Sequence, residues 1–87
     1  MIITNKELPE LLQTAIDKRP IAFGSLFNCI AIIKKDNKFW QFPYRQTMFG
    51  DCWLPNEALE IRAIEVEIHM VPEYRAVNPE EQHRIYQ

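Results

Sequence analysis

Glycine is scarce in this chain, which has only Gly24 and Gly50 among its 87 residues. A loop that cradles phosphate needs several closely spaced glycines, so that backbone N–H groups can approach the ligand. The scarcity therefore excludes the common nucleotide-binding loops. The only cysteines, Cys29 and Cys52, lack the paired spacing of zinc sites. We expect both to be reduced thiols, and we expect the protein to hold neither a metal ion nor a cofactor.

Long apolar runs are absent as well. No segment approaches the roughly 20 apolar residues needed to cross a bilayer, and the first residues lack a cationic stretch followed by an apolar one. The composition, 47% hydrophobic and 25% charged, is ordinary for a globular protein. The sequence therefore predicts one compact domain over residues 1–87, located in the cytoplasm and without a membrane partner.

The amino-terminal segment has the pattern of a helix. Thr4 can cap its first turn, while Glu7, three residues later, can return a hydrogen bond in a capping box. Pro20 should end the helix at about Lys18, since the residue before a proline is driven out of helical geometry. Five apolar residues fall on one face of this helix: Leu8, Leu11, Leu12, Ala15 and Ile16.

A two-residue period follows the helix and predicts strands. Apolar residues alternate over residues 27–34, and Asp36 and Asn37 form a two-residue turn of the kind that joins antiparallel strands. The returning strand spans residues 38–42. Pro43 should end it, because proline cannot donate to a strand ladder.

The carboxyl-terminal half predicts another strand and another helix. Strict alternation predicts a strand that buries Ile64, Val66, Ile68 and Met70. Residues 57–63 have the opposite phase, which favours a strand with a bulge near Ala63 over a short helical turn begun by Asn56. Asn78 and Pro79 suit the start of a helix over residues 79–85. The whole pattern predicts an α+β fold with an N-terminal helix, an antiparallel three- to four-stranded sheet and a short C-terminal helix.

Aromatic residues are concentrated between Phe39 and Trp53, which hold six of the ten in the chain. The second half of this stretch keeps no regular period and predicts a loop over residues 43–55. In so small a domain the rings can complete the core or contact a partner. Three large side chains of the loop are the best candidates for exposure: Tyr44, Met48 and Phe49.

Charge is uneven along the chain. Residues 57–87 carry three basic and seven acidic side chains, against a net charge of -2 for the whole protein. An exposed aromatic loop beside an acidic strand face has the components of a protein interface, with anchors for pockets and charges for steering. The sequence thus favours a small non-enzymatic module that binds another protein, as an inhibitor or adaptor. The expected contact residues are Tyr44, Arg45, Met48, Phe49, Trp53, Glu65 and Glu67.

Single-stranded nucleic acid is the alternative partner. Basic side chains interleaved with aromatic ones can hold phosphates and stack bases. The negative net charge argues against it, and nucleic-acid binding is not expected. The residues concerned are Lys34, Lys35, Lys38 and Arg45, with Trp40 and Tyr44.

A cysteine-dependent enzyme is the third hypothesis. Cys52, Asp51 and His69 supply the residue types of a nucleophile, an orienting acid and a base. A cysteine beside a tryptophan more commonly packs than reacts, so no catalytic residue is expected.

The oligomeric state is left open between monomer and homodimer. Residues 64–71 could pair with a twofold mate if they form a sheet edge. Their glutamates would repel one another unless Arg62 or Arg75 lay opposite them.

Overall fold

A computed structural model describes residues 1–20, 28–70 and 73–78 of the chain. Strands dominate these residues, and helical structure among them is confined to one short α-helix and one 3-10 turn. The prediction of an α+β fold is therefore wrong, because the chain builds a mostly β structure. The predicted helix at residues 79–85 lies outside the described residues.

The described elements are numbered in chain order. The strands are β1 (Ile2–Thr4), β2 (Asp17–Pro20), β3 (Asn28–Lys35), β4 (Lys38–Gln46), β5 (Cys52–Trp53), β6 (Glu60–Arg62), β7 (Ile64–Met70) and β8 (Glu73–Ala76). The helix α1 spans Leu8–Gln13, and the 3-10 turn spans Pro55–Glu57.

Six strands form one antiparallel sheet in the order β2-β3-β4-β7-β8, with β5 also beside β4. Strands β1 and β6 pair separately. Arg19 on β2 lies with its guanidinium carbon 5.3 Å from the centroid of the Tyr74 ring on β8. Because β2 and β8 are the first and last strands of the order, this contact means that the sheet is strongly curled.

The N-terminal helix is much shorter than predicted. Helix α1 ends at Gln13, and residues 17–20 instead form β2 against β3. The capping box does not form, because Thr4 closes β1 and its Oγ1 donates to Glu7 Oε1 at 3.0 Å. Strands replace the predicted helix at both ends of this segment. Strand β1 pairs with β6 and strand β2 pairs with β3, so distant strands satisfy the backbone N–H and C=O groups there.

The apolar face of that helix is confirmed in part. Leu8 and Leu12 are buried, and Leu11 packs partly buried against the same cluster. Ile16 is exposed, because it follows the end of α1 and no longer shares its face.

The turn at Asp36 and Asn37 is confirmed. Both residues have positive φ, 55° and 61°, as a two-residue hairpin turn of the favoured twist requires. Lys35 and Lys38 flank it as cross-strand partners. The two residues that flank a two-residue turn form a hydrogen-bonded pair. Because such pairs alternate along an antiparallel ladder, the even-numbered residues of β4 form backbone hydrogen bonds with β3.

Pro43 does not end β4, which continues to Gln46. The alternation turns the nitrogen of Pro43 away from β3, towards the opposite edge. On that edge β7 pairs with residues 39–41 and β5 with residues 45–46, and Pro43 lies between them. No described ladder needs an N–H there, so the proline is tolerated.

The predicted bulge near Ala63 is a change of sheet. Strand β6 ends just before Ala63, β7 begins just after it, and the Ala63 N–H donates to Met1 O at 2.8 Å. Ala63 and Ile64 are both buried, in different clusters. The alternation of buried and exposed residues changes phase here because Ala63 and Ile64 pack into clusters on opposite faces of the large sheet.

The sheet buries a cluster on each face. On one face, the first core joins α1, β1, β3 and β4. On the other, the second core is smaller and contains Ile32, Ile64 and Val66, with Phe39, Tyr74 and Ala76 packed against it. Ile68 was predicted to be buried but is 40% exposed, because the described pairing between β4 and β7 stops at Val66. The first core contains Ile3, Leu8, Leu12, Cys29, Ala31, Ile33, Phe42, Tyr44, Leu54 and Ala63.

Candidate functional site

The hairpin formed by β4 and β5 carries the candidate site. Arg45 pairs with Trp53 and Gln46 pairs with Cys52, so that residues 47–51 connect the two strands. Much of the predicted loop over residues 43–55 is therefore regular strand. The predicted irregularity is confined to the end of the hairpin, and we call Met48, Phe49 and Gly50 the hairpin tip.

Backbone hydrogen bonds hold the hairpin tip in one shape. The Thr47 N–H donates to Asp51 O at 2.8 Å, and the Gly50 N–H donates to Thr47 O at 3.2 Å. The Asp51 N–H donates to Thr47 Oγ1 at 3.1 Å. Gly50 has φ of 89°, the left-handed conformation that commonly ends a three-residue hairpin loop. The chain thus orders this tip with its own residues.

The tip presents two large apolar side chains to solvent. Met48 is 80% exposed and Phe49 is 91% exposed, which confirms their predicted exposure. Phe49 is the most exposed of the large apolar side chains described, and it lies directly beside Met48. Side chains so exposed contribute almost nothing to the core.

Arg45 and Trp53 lie behind the tip on one face of the hairpin. The Arg45 guanidinium carbon is 5.7 Å from the centroid of the Trp53 ring, and both residues are half-buried. Arg45 Nε is buried and has no hydrogen-bond partner among the residues that the structure describes. A buried donor without a partner is costly, so this guanidinium has a hydrogen-bonding capacity that no described residue satisfies.

Tyr44 is not part of the exposed surface, which corrects its predicted exposure. It is 3% exposed and belongs to the first core, because alternation along β4 turns it inward while Arg45 faces the opposite side. Burial raises its pKa to about 12, and a hydrogen bond with Cys29 and the charges of Cys29 and Cys52 act in the same direction. The phenol is therefore protonated at neutral pH.

The acidic face of β7 is largely neutralised within the chain. Glu65 Oε1 lies 3.6 Å from Lys38 Nζ, and Glu67 is the cross-strand partner of Arg75. The two glutamates therefore present less negative charge to a partner than the sequence pattern indicated.

Strand β7 already has a neighbour on each side within the described part of the chain. It pairs with β4 along residues 64–66 and with β8 along residues 66–70, so a second copy would find only part of one edge open. Arg75 does lie opposite Glu67, as a strand-paired dimer would have required, but it belongs to the same chain.

The basic residues proposed for nucleic acid do not form one patch. Lys34 lies over the Phe39 ring at 5.8 Å, and Lys38 faces Glu65. Arg45 lies near the other end of β4 from Lys38. At the usual rise per residue of a strand, the Cα atoms of these two residues are about 24 Å apart. Trp40 Nε1 donates to Lys35 O at 3.2 Å, and Tyr44 is buried, so stacking surface between these cations is limited.

Cys52 and His69 lie at opposite ends of the sheet. Cys52 is opposite Gln46, the last residue of β4. The register of β7, with Val66 opposite Phe39, places His69 beyond the first residue of β4. Burial raises the pKa of the Cys52 thiol, whose Sγ donates to Gly50 O at 3.5 Å. The strand register therefore separates the backbones of Cys52 and His69 by most of the length of β4.

No group of three metal-ligating His, Cys, Asp or Glu side chains occurs in the part of the chain that the structure describes. Within the same ranges, no helix is long and apolar enough to cross a membrane.

A pocket between β2 and the β4–β5 hairpin could not be seen in the sequence. Its volume is about 410 Å³, and it is lined by Lys18, Arg19, Pro20, Cys29, Tyr44, Gln46, Thr47 and Met48. These residues come from three separate stretches of chain that the antiparallel pairing brings together. No spacing within one stretch could have indicated the pocket, since β2 itself was predicted to be helix.

Comparison with protein-family models, curated proteins and solved structures gives no match. Function has to be inferred from the residues themselves.

Proposed function

We propose that this protein is a small non-enzymatic module that binds another protein through the tip of its β4–β5 hairpin. The observation that carries the proposal is the ordered tip that presents Met48 and Phe49 to solvent. Ordering two large apolar side chains in water brings no stability to the monomer. Buried against a partner, each contributes about 1.5–3 kcal/mol of transfer free energy.

The side chains behind the tip support the same role. Tryptophan and arginine are the residue types most enriched among the few positions that dominate interface energetics. Trp53 and Arg45 are preorganised by their mutual contact, so less side-chain freedom is lost on binding. The proposed interface therefore has an apolar tip and a stacked Arg–Trp pair behind it.

The acidic residues contribute little to this interface. Lys38 and Arg75 oppose Glu65 and Glu67, and exposed ion pairs are weak and screened by salt. The proposal therefore rests on the hairpin. A domain of this size that covers one partner surface suits an inhibitor, or an adaptor if a second surface is engaged.

A cytoplasmic location is part of the proposal. Cys29 and Cys52 are free thiols. They lie on β3 and β5, with β4 between them. That places their Cα atoms about 9 Å or more apart, too far for a disulfide without rearrangement. Free thiols suit a reducing compartment.

Site-specific photocrosslinking tests the proposed interface. A benzophenone amino acid at position 49 should give one discrete crosslinked product in cells that naturally express the protein. The matched control is position 59, because Leu59 is 86% exposed but lies outside the hairpin. Excess unlabelled wild-type protein should compete the product away, whereas Phe49→Ser protein should compete at least about tenfold less well, the loss of one interface anchor.

Two results would contradict the proposal. One is the same crosslinked product from positions 49 and 59. The other is equal competition by wild-type and Phe49→Ser proteins while both have the same melting temperature. A product with twice the mass of the chain would identify the partner as a second copy.

A further inference from the structure

The pocket between β2 and the β4–β5 hairpin has a consistent chemical character. Pro20, Cys29 and Met48 supply apolar surface, while Lys18 and Gln46 supply polar groups. Its volume of about 410 Å³ lies in the range of small-molecule sites, about 300–1,000 Å³. The pocket can therefore accommodate a ligand with a small apolar body.

The charge of the pocket is positive. No carboxylate is among the lining residues that the structure describes. Two of the lining residues are cationic, Lys18 and Arg19. The Arg19 guanidinium forms an ion pair with Asp17 on the opposite face of the sheet. Neither of the ion pairs seen in the described ranges involves Lys18. The positive charge of Lys18 acts on this side of the sheet. It lowers the pKa of the Cys52 thiol, although burial raises that pKa by more.

A neutral hydrogen-bond donor reinforces this preference. The Gln46 amide carries two N–H groups, whereas the Tyr44 phenol already hydrogen-bonds with Cys29. Lys18 and Pro20 reach this face because β2 alternates, with Lys18 opposite Ala31 and Pro20 opposite Cys29. An amide donor beside an ammonium group that neither described ion pair engages favours an anion.

We propose that this pocket binds a carboxylate attached to a small apolar group, with Lys18 as its counter-ion and Pro20, Cys29 and Met48 against the apolar part. A free organic acid and the terminal carboxylate of a polypeptide share this chemistry. The pocket adjoins the proposed protein interface at Met48, but Phe49, the main anchor of that interface, is not among the residues that line the pocket.

Nuclear magnetic resonance titration of the ¹⁵N-labelled protein tests the site. The probe is 3-phenylpropionate, and 3-phenylpropionamide is the matched neutral compound. We expect 3-phenylpropionate to shift the amide signals of Lys18, Cys29 and Gln46. The amide should bind about tenfold more weakly, since a charge-assisted hydrogen bond is replaced by a neutral one.

Variants assign the effect to one side chain. Lys18→Gln should weaken 3-phenylpropionate binding about tenfold and remove its preference over the amide, while Lys18→Arg should retain both. The control Lys35→Gln, at the other hairpin, should bind as the wild type does. Phe49→Ser should also bind the acid normally, so failure of the protein-binding proposal and failure of this one are distinguishable.

The probes also separate the two sources of the carboxylate. Tighter binding of 3-phenylpropionate than of Ala-Ala-Phe with a free terminus would indicate a free acid, and the reverse would indicate a polypeptide terminus. No shifts with either compound at about 20 mM, far above the millimolar affinity expected of so small a ligand, would overturn the proposal. Equal binding of 3-phenylpropionate and its amide would overturn it too.

Discussion

Strand β4 carries a hairpin at each end, and the two connections differ in chemistry. The β3–β4 turn is Asp36 and Asn37, flanked by Lys35 and Lys38, so all four side chains are polar. The β4–β5 connection instead places Met48 and Phe49 at its tip. Both are ordered by backbone geometry with positive φ. Antiparallel pairing is thus satisfied equally well by a polar and an apolar tip.

The difference indicates which tip has a purpose beyond folding. Lys38 contacts Glu65, and Lys34 covers Phe39, so the polar end interacts within its own chain. Phe49, at 91% exposure, has almost no such contact. Solvation explains the polar turn fully, whereas contact with another molecule is the explanation that we propose for the apolar tip.

The largest expected effect separates the core of β4 from its apolar tip by the same substitution. Phe42→Ala should lower the free energy of unfolding by about 3–5 kcal/mol, because Phe42 is fully buried in the first core. Phe49→Ala should change it by less than about 0.5 kcal/mol. Urea unfolding of both variants measures the contrast. Similar losses in the two variants would mean that Phe49 packs on the core, and would contradict the contrast drawn between the polar and the apolar hairpin.

A smaller effect is expected from pH near the apolar hairpin. The folded pKa of Tyr44 is about 12, above the ordinary value of 10. Between these values the unfolded chain releases a proton that the folded chain keeps, so stability is full below pH 10 and falls as pH rises. The loss should reach no more than about 3 kcal/mol. Urea unfolding at pH 9 to 11 should show a steeper decline for wild type than for Tyr44→Phe; equal slopes would contradict the assignment.

The smallest effect concerns how the apolar tip is held. Gly50→Ala should cost about 1–2 kcal/mol, because an L residue is disfavoured at φ of 89°. A Cβ there would meet nothing within 4 Å, so the cost comes from the backbone alone. D-alanine, introduced by chemical ligation, should restore the wild-type melting temperature. If it did not, a steric conflict rather than left-handed geometry would be responsible.

Local features were predictable where neighbours in sequence decide them. Asp36 and Asn37 tolerate positive φ, so the hairpin turn could be predicted from two residues. Strand β7 was predicted with its observed bounds, Ile64–Met70, because strict alternation has one simple explanation. The exposure of Met48 and Phe49 followed from apolar side chains in a stretch without a regular period.

The errors arose where distant strands compete with local preference. Residues 17–20 have a helical pattern when considered with α1, yet β3 provides them with a ladder. Pro43 ends an isolated strand, but it is tolerated between β5 and β7. Tyr44 was predicted to be exposed because the proline before it suggested a loop, and the continued strand turned it into the core.

The sequence by itself determined the hairpin turn, strand β7, the apolar residues of α1 and the chemistry of the exposed tip. Each depends on residues a few positions apart, whose preferred dihedral angles and side-chain alternation act locally. Only the tertiary structure decided the mostly β fold, the partners of Glu65 and Glu67, and the pocket beside Lys18. These depend on which strands pair and in what register, and that choice minimises the free energy of the whole chain, so no short segment records it.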